Sequence, residues 1–177
     1  MKNKKKNWLA RLMVGTAALL FVPAAHADPG GLQPFRARVE ASETFSPGPS
    51  PGVQFVTLVG TGTGAHFGRF GYSATELLDF TQGPSASNPD RIAVVTDGQL
   101  VITAANGDQL FGTYVGEGNV PGADGIVNGS GTAVITGGTG RFVCASGTIP
   151  FTVAITLSSG NEVINFDGTA DLDGQCD

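Results

Sequence analysis

From residue 28 onward the apolar side chains recur at every second position, and this period restricts the fold more than any other feature. Phe35, Ala37, Val39 and Ala41 alternate with Arg36, Arg38, Glu40 and Ser42. Ile149, Phe151, Val153, Ile155 and Leu157 form a second stripe. Ile164, Phe166, Ala170 and Leu172 form a third, set against Asn165, Asp167, Thr169 and Asp171. Successive side chains of a strand point to opposite faces, so each pattern puts one set on a core and the other in water. A helix would need a 3.6-residue repeat, and few windows here supply one.

Turn chemistry separates the stripes. SPGPSPG at 46–52 reads as a loop, because proline has no N–H to give to a ladder. QGPSASNPD at 82–90 and NVPGADGIVNGSG at 119–131 read as further connections. Asn106-Gly107 predicts a type I′ hairpin joining 99–105 to 108–118, and Gly160-Asn161 after Ser158-Ser159 predicts another. Strands are expected at 53–59, ending in a glycine turn at 60–64, and at 92–96, continuing into 99–105 through Asp97-Gly98. Others fall at 132–136, at 142–157 with bends, and at 162–172.

Segment 67–80 is ambiguous, since Phe70, Tyr72 and Ala74 share one parity while SATELLDF fits a helical turn or a continued strand. The total is seven or eight strands in one all-β antiparallel domain, either a closed barrel or, alternatively, a β-sandwich. Closure is preferred, because an open sheet of this length would expose apolar edges with no lysine to discourage pairing.

The N-terminus has a different character. MKNKKKNW is basic, LMVGTAALLFV is apolar, and PAAHA ends in an A-x-A pattern before Asp28. This predicts a signal peptide over 1–27 and an exported single domain over 28–177, secreted or periplasmic. The apolar run is shorter than the ~20 residues that cross a bilayer.

All four lysines precede residue 28, leaving Arg36, Arg38, Arg69, Arg91 and Arg141 against all fifteen acids. That balance opposes nucleic acid and anionic membrane surfaces as partners, both of which are held by basic residues. No stable membrane span is expected after cleavage, and a homo-oligomer is left open. Cys144 and Cys176 are expected to pair after export, closing a loop of roughly 32 residues for about 3–4 kcal/mol. Two distant thiols and one remaining histidine are too few for a metal centre, and Asp171-Leu172-Asp173-Gly174 lacks EF-hand spacing.

FVTLVGTGTGAHFGRFG at 55–71 places Gly60, Gly62 and Ala65 at dinucleotide-fingerprint spacing. Such a site needs a helix launched by the glycines within repeated βα units, and Gly68 and Gly71 oppose one. The reading is therefore a bent strand or turn, with no cofactor. The G-x-S-x-G elbow of serine hydrolases is missing as well. Four residues remain as ligand candidates. His66 reads as an acid or base at a barrel mouth, or as a polar residue beside a turn. Tyr72 and Tyr114 suit a cavity lining, and Arg141 suits a ligand carboxylate.

The stretch GSGTAVITGGTGRFVCASG at 129–147 resembles the signature of the dirigent protein and allene oxide cyclase superfamily: a strand, a GG-x-G turn, an aromatic residue and a small-residue glycine. Gly137, Gly138, Gly140, Phe142 and Gly147 carry the match as structural positions, and GTGAHFGRF at 62–70 resembles a glycine-flanked strand of bacterial members. The resemblance implies an eight-stranded antiparallel barrel with a central apolar cavity. It further implies binding of a small hydrophobic or phenolic molecule, or a dirigent-like or cyclase/isomerase activity on a reactive intermediate. Asp108, Glu117 and Asp167 match no family catalytic acid by local motif. A non-enzymatic surface or matrix role is the remaining class.

Overall fold

The computed structural model describes residues 31–173. The predicted leader at 1–27 lies outside them, as does Cys176. Eight strands follow one another as β1 (Gln33–Pro47), β2 (Val53–Gly64), β3 (Gly68–Asp79), β4 (Arg91–Ala104), β5 (Gln109–Asn119), β6 (Ile126–Gly138), β7 (Ser146–Thr156) and β8 (Asn161–Asp171). A 3₁₀ turn, Gly140–Phe142, lies between β6 and β7. Every neighbouring pair is antiparallel, and β8 pairs back onto β1, so the sheet closes into a barrel. Closure gives every strand two partners and leaves no backbone edge to attract another chain. Among the described residues no helix is long and apolar enough to cross a membrane.

The alternation read from the sequence is the inside–outside alternation of this barrel. Phe35, Ala37, Val39 and Ala41 are buried while Arg36, Arg38, Glu40 and Ser42 are exposed. Ile164, Phe166, Ala170 and Leu172 likewise face inward. One end of the interior is filled by aromatic rings. Phe67 lies 5.4 Å from Phe35, 5.6 Å from Phe70 and 5.3 Å from Phe142 between ring centroids. Each such ring removed from water contributes about 1.5–3 kcal/mol.

Local expectations need several corrections. Residues 60–64 continue β2 rather than turning, and the turn falls at 65–67 with Gly68 at φ 61°. Segment 67–80 is strand β3, its helical alternative overridden by ladders on both sides. Asn106-Gly107 does make a hairpin, but of a different type. Only Gly107 has positive φ, at 90°, and the Gly107 N–H bonds the Ala104 carbonyl at 2.9 Å while the Ala104 N–H bonds Asp108. This is a three-residue loop in which glycine takes the left-handed position. Residues 126–131 belong to β6, and Phe142 sits in the 3₁₀ turn rather than in a strand.

The expected Cys144–Cys176 bridge reaches a residue outside the described ones. No disulfide joins two described residues, because Cys144 is the one cysteine among them. It is not a free thiol. β8 is laddered to β7 on one side and to β1 on the other.

Candidate functional site

Away from the aromatic plug the interior opens into a cavity of about 140 Å³. Its wall is largely apolar. Leu58, Leu100, Phe151, Val153, Ile155 and Ile164 contribute from four strands, and Phe45, Phe80 and Leu157 stand partly exposed at the mouth. An eight-stranded barrel is just wide enough for side chains to fill or for one small ligand to enter. Phe151 marks the floor, with its centroid 5.7 Å from Phe166 and 5.9 Å from Tyr114. Gly131 makes room for it, because a Cβ there would fall 2.7 Å from the ring edge and closer still to Cζ.

Three carboxyl groups reach into this apolar space. Glu43 comes from β1, Glu76 from β3 and Glu162 from β8, all lining the cavity. Glu76 is 7% exposed and Glu162 only 4%. The Tyr114 hydroxyl donates to Glu76 Oε2 at 2.7 Å. A bulge in β4 sets up this pair. The register slips between Val95 and Gly98, Asp97 takes φ 52°, and Gly98 lies flat under the Tyr114 ring, where a Cβ would sit 2.7 Å from Cγ. Such bulges re-aim side chains.

Burial is the main reason that all three carboxyls hold their protons more firmly than usual. Loss of solvent raises Glu76, and the Tyr114 hydrogen bond partly offsets the shift. Glu43 is pushed up to about 7 by burial and then by the Glu76 charge, while a hydrogen bond from Glu162 opposes the rise. Glu162 is pushed up to about 9 by burial, by the charges of Glu43 and Glu76, and by that same bond to Glu43. The Glu162 carboxyl thus stays protonated and donates to Glu43. Its Oε1 atom is buried without a hydrogen-bond partner. Tyr72 and Tyr114 are raised too, first by burial and then by neighbouring carboxylates, so both remain neutral hydroxyls.

Of the four ligand candidates read from the sequence, two meet here. Tyr72 and Tyr114 line the cavity. His66 and Arg141 lie at the opposite, plugged end and do not reach it. His66 Nε2 donates to the Pro34 carbonyl at 3.0 Å. The Arg141 guanidinium donates to the His66 carbonyl at 2.9 Å and covers the Phe142 ring, 4.6 Å from its centroid. Arg141 therefore clips the β2–β3 turn to the 3₁₀ turn.

The GG-x-G glycines shape that end of the barrel as well. Gly140, at φ 56°, packs so tightly on the Asp108 carboxylate that a Cβ would overlap it. Asp108 and Asp167 lie outside the cavity, Asp167 pairing with Arg36 at 3.1 Å. Glu117 stands at the rim, accepting from Asn88 at 2.6 Å and paired with Arg91 at 3.6 Å.

The glycine cluster of 60–64, which matched a dinucleotide fingerprint, launches no helix. Gly60 and Gly62 let β1 approach β2, since a Cβ on either would meet β1 backbone. Among the described residues no group of three or more histidine, cysteine or acidic side chains is arranged to hold a metal ion. No protein-family model, no curated protein and no solved structure matches the chain. The closed eight-stranded barrel agrees with the fold implied by the 129–147 stretch, and is not specific to that superfamily.

Proposed function

We propose that the barrel binds a small, mainly apolar molecule whose polar end donates hydrogen bonds to carboxyl oxygens. The observation that carries this reading is the cavity itself: largely apolar walls, with polar groups contributed from β1, β3, β5 and β8. Ligand sites in general combine a hydrophobic enclosure with a few placed polar atoms. A space of about 140 Å³ matches one aromatic ring, being close to the ~150 Å³ of an engineered cavity that takes up benzene. Tyr72 and Tyr114 would bracket such a ring. The predicted leader puts the protein outside the cytoplasm, where it would meet its ligand after export.

Calorimetric titration of the folded protein with 2-phenylethanol and p-cresol tests the reading. Saturable one-to-one binding is expected, with Kd of roughly 10–1000 µM for ligands of this size. Ile155→Trp, which fills the mouth, should abolish it. Absence of saturable binding to either compound, or binding indifferent to Ile155→Trp, defeats the proposal.

A second reading is a dirigent-like or cyclase/isomerase activity in the same cavity, in line with the resemblance of 129–147. One specific observation favours it: carboxyls of unequal proton affinity share one space with two neutral tyrosines. Groups so separated can hold and accept protons while the walls fix a reactive intermediate. Its measure is product distribution, and identical products and rates with and without protein would remove it.

A further inference from the structure

Resting on the cavity reading and narrowing its ligand class, we infer that the polar end of the ligand is a cation, so that the barrel takes a small apolar amine with its ammonium among Glu43, Glu76 and Glu162. Three observations converge on this. The first is charge. Glu43 on β1, Glu76 on β3 and Glu162 on β8 face one another, and Glu117 on β5 adds a fourth acid at the rim. Tyr72 and Tyr114 supply hydroxyls; β2, β6 and β7 supply no titratable group to the lining. The cation beside Glu117, Arg91 on β4, is engaged by it and donates to the Gly83 carbonyl at 2.7 Å. The interior acids therefore have no cationic partner among the described residues, although buried charges ordinarily pair.

The second observation is the orphaned Glu162 Oε1, buried on a side chain only 4% exposed that lines the cavity. An unpaired buried acceptor asks for a donor, and an ammonium supplies up to three. The third is the set of rings. Phe45, Tyr72, Phe80 and Tyr114 share this lining, and aromatic faces attract ammonium groups through their quadrupoles.

Other ligand heads answer only part of the demand. An alcohol or phenol would satisfy one oxygen and leave the acids without a cationic partner. An anion would be opposed by every ionised one. A bare metal ion lacks a suitably arranged set of ligands among the described residues. A cation supplies the missing positive partner and a donor to the vacant acceptor together. It also favours the ionised carboxyls, so its binding expels protons and tightens as pH rises, until the amine itself discharges near pH 10.

The test is calorimetry on the full folded protein with three matched probes, 2-phenylethylamine, 2-phenylethanol and phenylacetate, at pH 6 and pH 8.5. At the higher pH the amine should bind about tenfold or more tightly than the alcohol, and phenylacetate weakest. Amine affinity should rise about three- to tenfold from pH 6 to 8.5, while alcohol affinity does not rise. In the Glu43→Gln/Glu162→Gln protein the preference of amine over alcohol should shrink to about twofold. Should that variant fail to fold, the wild-type pH series decides alone. Alcohol binding as tight as amine binding overturns the cationic head and leaves the cavity reading intact. An amine preference indifferent to pH overturns it too, and no binding by any probe overturns both.

Discussion

Glu43, Glu76 and Glu162 each occupy the next inward position of a stripe that the sequence displays openly. Glu43 follows Phe35, Ala37, Val39 and Ala41 at the same parity; Glu76 follows Phe70, Tyr72 and Ala74; Glu162 precedes Ile164 and Phe166. Alternation alone therefore pointed these carboxyls inward. A charge beyond an apolar run, however, ordinarily marks the place where a strand meets water, and this masks the inward positions in the sequence. His66 and Arg141 drew attention by residue type, and packing assigned them to the other end.

Burial of Glu162 makes a stability prediction. Its proton affinity in the folded state, about 9, lies above the ordinary 4.5, so the folded protein holds a proton that the unfolded chain releases in between. That contribution is complete below pH 4.5 and is lost as pH climbs toward 9; Glu43, raised to about 7, adds to the loss over its lower part. Urea unfolding should show lower stability at pH 8.5 than at pH 5. Glu162→Gln should flatten that slope and stabilise the protein at pH 8.5 by roughly 1–3 kcal/mol. An unchanged slope would mean that Glu162 is not the group responsible.

At the level of elements, the strands and most connections were legible, and their boundaries were not. Glycine was read as punctuation at 60–64 and 129–131, where it serves inside a strand to let a neighbour approach. Gly131 and Gly71 separate the two uses. A Cβ at Gly131 collides with Phe151 and the Val115 carbonyl, whereas at Gly71 the nearest atom is 3.9 Å away. Gly131→Ala should therefore cost about 2 kcal/mol or more, and Gly71→Ala less than about 0.5, as measured by thermal melting. Equal effects would refute the close-packing account of β6. Asp97-Gly98 was expected as a bend within a strand; its particular effect, aiming Tyr114 at Glu76, needed the partner strands.

For the whole molecule, closure is the property on which the cavity depends. Ala37 is laddered to Phe166 and Val39 to Ile164, so β1 and β8 are interior strands. Hydrogen exchange followed by NMR should protect their shared ladder amides as strongly as those between β4 and β5. Fast exchange along either strand would indicate an open sheet or a sandwich edge.

Period-two alternation, turn residues and the absence of an edge lysine decided by themselves that this chain is all-β and antiparallel, and favoured a barrel over a sandwich. These are properties of neighbours in sequence, where sterics and solvation act directly. Tertiary structure alone decided that rings plug one end and that Glu43, Glu76, Tyr114 and Glu162 meet in one cavity. Such meetings depend on register, bulges and curvature, which bring side chains from distant strands to a shared axis and which no local pattern records.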